Sequence, residues 1–165
     1  MLPEDRKKSG GVLDLSIKQN ISLANLSKIA NRWGFINQER ERSLVAQLIE
    51  QLKIKVGDAN NPLSSLSGGN QQKVILGKWL NLDLNVLLID EPTRGVDVGA
   101  RSEIYHIIQR LADDGVYVLM VSSDMEELMG LSDRIMVFKN GALQGEVSRP
   151  DFSEEAILRL AIGAR

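Results

Sequence analysis

The 165-residue chain has no cysteine and a single histidine, His106. The absence of thiols excludes disulfide bonds and thiolate metal centres, and one imidazole cannot build a histidine metal cluster. Aromatic residues are scarce as well, since two Trp, two Tyr and three Phe make up 4% of the chain. Large surfaces for stacking nucleic-acid bases are therefore not expected.

The chain also has no excess of positive charge and no long apolar run. Twenty Lys and Arg residues against twenty-two Asp and Glu residues leave a net charge of −2, so the composition gives no electrostatic footprint for nucleic acid. No apolar run approaches the roughly 18 to 20 residues that cross a bilayer, which predicts no transmembrane segment within this sequence. A hydrophobic share of 43% is typical of one ordinary globular domain.

The first part of the chain is dominated by helical spacing. Residues 1–20 are polar and contain glycine, which predicts a loop with at most one short strand. From Asn20 to Asn61 the apolar residues recur at helical intervals, and Pro62 ends the stretch. A small helical subdomain is the simplest interpretation.

Strands and helices alternate after Pro62. The apolar runs 86–89 and 116–121 are typical of strands in the middle of a parallel sheet, and the segment between them carries one apolar stripe at helical spacing. Strand, helix and strand within about 35 residues predict a βαβ unit and therefore an α/β fold. Local signals predict four more elements: a helix capped by Asp124 and Glu127, a strand over 135–138, a hairpin at Asn140-Gly141 leading into 143–147, and a helix from Ser153.

The first candidate site is Ser67-Gly68-Gly69, ahead of a helix predicted to run to about Leu80. Ser67 can cap that helix, the glycines let a ligand approach the backbone, and the N–H groups of a helix N-terminus attract an anion such as phosphate. A bare Ser-Gly-Gly is more often a capped turn without a ligand. Both interpretations stay open on these three residues, and the longer segment 66–73 favours the phosphate site.

The second candidate site is the acidic pair Asp90-Glu91, directly after the first predicted strand. Ligands of open α/β sheets bind at the carboxyl ends of the strands, where one carboxylate can hold Mg²⁺ and another can orient or deprotonate a water. These are the roles that we expect for Asp90 and Glu91, respectively. A lone Asp-Glu pair is otherwise an ordinary polar turn after a strand.

Both segments resemble motifs of one protein family. The run LSGGNQQKV (66–74) looks like the signature motif of ABC transporter nucleotide-binding subunits, and VLLIDEP (86–92) looks like their Walker B motif. The segments 2–11, 91–101 and 121–141 are similar to the second half of tandem ATPases that serve bacterial importers of ribose, arabinose, xylose and galactosides. The resemblance implies an ABC ATPase fold of the P-loop NTPase type, with a parallel sheet and a helical subdomain.

The resemblance also implies how the sequence is divided. No G-x-x-x-x-G-K-[ST] segment occurs, so the cradle for the β-phosphate is expected ahead of residue 1. Residues 1–165 would then be the distal part of one nucleotide-binding domain. About 18–66 would form its helical subdomain, and about 67–165 would hold the signature helix, Walker B and the C-terminal α/β part. The isolated chain is expected to be inactive as an ATPase.

Further roles follow from the resemblance alone. Ser67, Gly68 and Gly69 would contact the γ-phosphate of an ATP held mainly by a second nucleotide-binding domain, and Asp97 would be the acid that crosses that interface. Asp97 can also cap the helix that follows it. Glu4 stands where many relatives have the glutamine that senses metal and the membrane partner.

One position departs from the general ABC pattern. Ser123 replaces a histidine that is thought to contact the γ-phosphate, and a serine cannot become cationic near neutral pH. The sugar-importer group commonly shares this serine. Ser123 is therefore expected beside Glu91 among the catalytic residues, with a weaker contribution to hydrolysis.

The expected function is an ATPase subunit that energises sugar import. Its cofactors would be ATP and Mg²⁺, and its partners a second nucleotide-binding domain and membrane permease subunits, at the cytoplasmic face of the inner membrane and without nucleic acid. The second domain could lie upstream in the same chain or in another copy. The alternative is a catalytically degenerate half that completes its partner's ATP site, which Ser123 and Glu4 favour.

Overall fold

The computed structural model describes residues 1–4 and 9–163, and the chain divides into two compact units, Met1–Val121 and Ser122–Arg165. The elements of the first unit are α1 (Ile17–Ser22), α2 (Leu26–Ile29), α3 (Gln38–Gln51), α4 (Gly68–Leu80), β1 (Val86–Asp90), α5 (Val98–Asp113) and β2 (Tyr117–Val121). Those of the second unit are α6 (Met125–Leu131), β3 (Arg134–Lys139), β4 (Ala142–Ser148) and α7 (Glu154–Ile162). Short 3₁₀ turns cover Leu23–Asn25, Leu63–Ser65 and Arg149–Asp151.

The predicted βαβ unit is confirmed. Strands β1 and β2 are parallel, in a register that runs from Val86 opposite Tyr117 to Asp90 opposite Val121, and α5 connects them. The other edge of β1 pairs with Leu2, whose N–H donates to the carbonyl of Leu88 at 2.8 Å. Strand β1 is therefore hydrogen-bonded on both sides.

The apolar runs are typical of strands buried on both faces in the middle of a parallel sheet; β1 is paired on both edges, but one face of β1 and β2 is exposed. Leu87 and Ile89 are buried, whereas Val86 and Leu88 are 52% and 42% exposed. On β2 the aligned side chains are exposed too: Tyr117, Leu119 and Val121. The described residues of this unit bury one face of the two strands, so the apolar runs follow the alternation of a sheet that is covered on one side.

The predicted helical segment is confirmed in part: its first helix begins at Ile17 rather than near Asn20, residues 30–36 are not helical, and α3 ends at Gln51, ahead of Pro62. The preceding loop is held by the side chain of Asn20, which is 1% exposed. Its amide nitrogen donates to the carbonyls of Val12, Leu15 and Ser16 at 2.9, 3.2 and 3.0 Å, and its oxygen accepts from the N–H of Val12 at 2.8 Å. The buried amide thus supplies the acceptor for the N–H of Val12 and gives each of the three carbonyls a second donor, besides the backbone N–H that each already accepts.

The second unit follows its local sequence signals closely. Asn140 and Gly141 both adopt positive φ, 52° and 78°, as the tight turn between β3 and β4 requires. The side chains of Asp124 and Ser153 cap α6 and α7. The core of the unit is a small apolar cluster of Ile135, Val137, Val147 and Ile157. None of the helices that the structure describes combines the length and the apolar composition that a membrane span requires.

Replacing Asn20 by Ala is expected to lower the free energy of unfolding by about 2 kcal/mol, because the N–H of Val12 loses its acceptor and three carbonyls of the loop each lose a second donor. Urea denaturation of the two proteins measures the difference. The control is Asn60→Ala, since Asn60 is exposed and bonds the nearby Asp58 at the surface. Its effect should stay within about 0.5 kcal/mol, and equal losses in the two variants would contradict the role of Asn20.

Candidate functional site

Helix α4 starts at the Ser-Gly-Gly segment, as predicted, but the hydroxyl of Ser67 does not cap it. Ser67 is the N-cap residue by its backbone, and its carbonyl accepts the first helical bond from the N–H of Gln71 at 2.9 Å. Its hydroxyl instead accepts from the side-chain amide of Asn70 at 2.9 Å. The predicted side-chain cap is therefore wrong, because the amide three residues further on occupies the oxygen.

Gly69 is a point of close approach between two helices. A Cβ atom at this position would lie 2.4 Å from the Cβ of Ala100 in α5, a distance that neither backbone tolerates. Ala100 in turn donates its N–H to the side chain of Asp97 at 3.0 Å, so Asp97 caps α5 as predicted. The fold thus brings the first turn of α4 and the Asp97 cap together, since the same Cβ atom would lie 3.6 Å from an oxygen of Asp97.

Solvent exposure decreases along the Ser67-Gly68-Gly69 segment. Ser67 is exposed, Gly68 is partly buried and Gly69 is buried. The first N–H groups of an α-helix have no acceptor within the helix, and together with the helix dipole they attract anions. An incoming phosphate could therefore reach Ser67 and Gly68, while Gly69 serves the packing of α4 on α5.

The acidic pair lies at the carboxyl end of β1, where it was predicted. Asp90 is the last residue of the strand, and its N–H donates to the carbonyl of Leu2 at 2.9 Å. Glu91 adopts a left-handed backbone with φ 48°, and its N–H donates to the carbonyl of Val121 at 2.8 Å. Both residues are partly buried, so neither lies in the fully buried interior of the unit.

Glu4 lies near the same end of the sheet because Leu2 pairs with β1. Its carboxylate forms an ion pair with Arg94. The N–H of Arg94 donates to the carbonyl of Glu91 at 3.2 Å. The fold therefore connects Glu4, through Arg94, with the turn that carries the acidic pair.

A buried lysine that the sequence analysis did not single out supports the α4 segment. Lys73 is 1% exposed, donates to the carbonyl of Lys53 at 2.9 Å and forms an ion pair with Glu103 of α5. The hydrogen bond from Lys73 lowers the pKa of Glu103 below its ordinary value of 4.5. Its membership of the 66–74 motif was the one available signal, since sequence alone places most lysines at the surface.

Ser123 belongs to the second unit. It is exposed and directly precedes Asp124, whose N–H donates to the hydroxyl of Ser122 at 3.0 Å and whose side chain caps α6. The other predicted site residues all belong to the first unit. The catalytic role of Ser123 stays a prediction.

The donor set at Asp90 suits a magnesium ion that is held mostly by water and phosphate. Magnesium commonly takes one or two carboxylates from the protein and the rest of its ligands from water and substrate phosphates. Asp90 is a partly buried residue that can supply one such carboxylate. Over residues 1–4 and 9–163 no group of three or more His, Cys, Asp or Glu side chains could hold a metal ion by itself.

Comparison with known sequences places the chain in context. Residues 5–94, more than half of the chain, match the family model described as ABC transporter. A ribose import ATP-binding protein of Clostridium tetani is 47% identical over 161 residues, and one of Rhizobium meliloti is 49% identical over 162 residues. Each alignment covers 98% of this chain but 32% and 31% of the relative, so the chain spans about a third of their length. The matched third lies in the second half of these proteins, which have tandem ATP-binding domains.

Solved structures share the fold. The dimeric structure of a bacterial ABC transporter cassette has a TM-score of 0.72 and 23% identity, and covers 88% of this chain and 62% of that chain. A post-hydrolysis state of the same cassette bound to ADP and Pi has a TM-score of 0.73 and 24% identity, with the same coverage. The expected α/β fold of the ABC ATPase type is confirmed.

Gly69→Ala is expected to destabilise the protein by about 1 to 3 kcal/mol, because the added methyl overlaps Ala100 and forces α4 and α5 apart. Thermal and urea unfolding measure the loss. The matched variant is Gly99→Ala in α5, whose Cβ would make an ordinary contact of 3.5 Å with Asp97. It should be neutral or slightly stabilising, and a Gly69→Ala protein as stable as the Gly99→Ala protein would refute the packing role.

The Lys73–Glu103 pair predicts a pH-dependent stability difference. A carboxyl whose pKa is lowered in the folded state stabilises the fold above its unfolded pKa, and this contribution is lost as the pH falls through the folded pKa. Because the Glu103 side chain is 40% exposed, Glu103→Gln should cost about 1 kcal/mol or less at neutral pH. Urea unfolding as a function of pH should show the difference shrinking below pH 4.5; a constant difference would contradict the ion pair.

Proposed function

The chain belongs to the ABC transporter family, and from this premise we propose that it is the distal part of one nucleotide-binding domain of an ATPase that powers sugar import. The relatives from Clostridium tetani and Rhizobium meliloti, which are named ribose import ATP-binding proteins, support a sugar as the transported class. Within the chain, about 18–66 would be the helical subdomain and about 67–165 the part with the signature helix and the acidic pair.

The observation that carries the proposal is the placement of Asp90 and Glu91 at the carboxyl end of a strand that is paired on both sides. The N–H of Asp90 is fixed by Leu2 and that of Glu91 by Val121. Two adjacent acids held by the backbone, yet partly open to solvent, can act on a ligand beyond the edge of the sheet. That is the position in which phosphoryl transfer needs a metal ligand and a residue that orients water.

The residues of this chain would divide the chemistry between them. Asp90 would hold the magnesium of Mg-ATP, through water, and the bound ion would neutralise charge on the phosphate oxygens. The carboxylate of Glu91 would accept a hydrogen bond from the attacking water and take up its proton. Ser123 would donate its hydroxyl hydrogen toward the γ-phosphate.

The Ser67-Gly68-Gly69 segment would serve a nucleotide held by a second nucleotide-binding domain. Ser67 and Gly68 are accessible at the start of α4, where the helix dipole favours the negative charge of a γ-phosphate. Asp97, which packs beside Gly69, would cross the same interface. The second domain would lie elsewhere in the same protein or in another copy.

The membrane partner would be a sugar permease, with the ATPase held at the cytoplasmic face of the membrane. Glu4 would transmit the state of the site to this partner. Its ion pair with Arg94, whose backbone bonds Glu91, provides a physical connection between the two.

Glu91→Gln in the complete ATPase is expected to reduce ATP turnover by at least about a hundredfold, since a general base typically contributes 10²- to 10⁴-fold. Nucleotide affinity should change little, because the substitution leaves the metal ligand and the backbone in place. Steady-state phosphate release and nucleotide binding are measured on the same preparation. The matched control is Glu126→Gln at the exposed first turn of α6, which should retain full turnover.

A second pair of variants separates an active half from a degenerate one. If this half hydrolyses ATP, both Asp90→Asn and Ser67→Ala lower turnover. Turnover that survives Asp90→Asn and Glu91→Gln but falls with Ser67→Ala would contradict the proposed chemistry at the acidic pair, and would show that the half serves its partner's site alone.

A further inference from the structure

A short hairpin between α2 and α3 presents aromatic side chains to solvent. Ala30 and Ile36 form an antiparallel bridge across it, and Gly34 supplies the turn with φ 82°. Trp33 and Phe35 are each 71% exposed, and Ile36 is 48% exposed. We call residues 30–36 the aromatic hairpin. Exposing large apolar side chains to water costs free energy, so a group of them on one hairpin indicates a binding surface.

The aromatic hairpin is held in its conformation before any partner binds. The side-chain oxygen of Asn31 accepts from the N–H groups of Trp33 and Phe35 at 2.9 and 3.1 Å. The N–H of Asn31 donates to the carbonyl of Phe35 at 2.8 Å, and that of Gly34 to the carbonyl of Asn31 at 3.0 Å. Binding through a preorganised loop loses little conformational entropy.

The segment that carries the aromatic hairpin is positively charged, although the whole chain carries −2. Residues 26–37 contain Lys28 and Arg32 and no Asp or Glu, and the next two charges, Glu39 and Arg40, offset each other. The guanidinium of Arg32 stands 4.9 Å from the centre of the Trp33 ring. Cation and indole therefore form one continuous surface.

We propose that the aromatic hairpin binds the surface of an anionic lipid bilayer. Indole and phenyl rings partition into the headgroup boundary, where one side of the ring is apolar and the other is wet. A cation beside them is attracted by anionic lipids, by about 1 kcal/mol for each Lys or Arg. The aromatic hairpin offers both features on a rigid support, and an anionic bilayer complements both.

Such binding would be weak and reversible by itself, because the inserted apolar surface is small. It would strengthen the attachment of the ATPase to the membrane beyond its contact with a permease. It would also orient the helical part of the first unit toward the membrane. The proposal goes beyond the nucleotide chemistry, and it can be tested without nucleotide. Its failure is thus distinguishable from failure of the proposed ATPase function.

The test is co-flotation of the chain with vesicles of equimolar phosphatidylglycerol and phosphatidylethanolamine, against vesicles of phosphatidylcholine alone. We expect binding to the anionic vesicles that falls with added salt. The double variant Trp33→Ser with Phe35→Ser should lose this binding, and Arg32→Gln should weaken it about fivefold, the equivalent of about 1 kcal/mol for one charge. In a Trp79→Phe background, Trp33 is the remaining indole, and its emission should shift to the blue on binding.

The matched control is Phe138→Ser with Leu143→Ser, which removes two exposed apolar side chains from the β3–β4 hairpin. It should bind vesicles like the unmodified chain, and circular dichroism should show that all variants fold. The proposal is overturned by absence of binding to anionic vesicles, by binding that survives the Trp33 and Phe35 substitutions, or by equal binding to phosphatidylcholine. It is also overturned if a photoreactive residue at position 33 in the assembled transporter labels protein rather than lipid.

Discussion

The pairing of β1 on both of its edges is the constraint on which the rest of the first unit depends. Leu2 bonds one edge and β2 the other, so the strand has little freedom to shift its register. Its last residue, Asp90, is consequently fixed relative to both neighbours. The turn that follows then determines where α5 begins, and α5 determines how closely α4 can approach. A change in the register of β1 would displace the acidic pair and the start of α4 together.

Sequence patterns predicted those elements whose cause is local. The caps at Asp97, Asp124 and Ser153 form because a short side-chain oxygen reaches the next N–H groups whatever lies elsewhere in the fold. The Asn140-Gly141 turn likewise needs only two residues that tolerate positive φ. Even a local rule fails when another local group competes, as Asn70 does for the hydroxyl of Ser67.

Features that arise from tertiary contact were not predictable in this way. An apolar run does not reveal whether one or both faces of a strand are covered, so the exposure of Val86 and Leu88 could not be foreseen. The need for glycine at position 69 comes from Ala100, thirty-one residues further along the chain. The burial of Lys73 is tolerated because a carbonyl and a carboxylate receive its charge. Each of these depends on residues that are distant in sequence.

The left-handed backbone conformation of Glu91 bears on function, and the sequence alone could not show it. A non-glycine residue in the left-handed region costs about 1 kcal/mol or more, and glycine would relieve that cost. The conformation is maintained by the carbonyl of Val121 on one side and by the N–H of Arg94 on the other. It also ends the alternation of β1, so that Glu91 is not obliged to face away from Asp90 as the next residue of a strand would. Strained residues that their surroundings hold in place cluster at functional sites, so the backbone of Glu91 supports the role that we propose for its carboxylate.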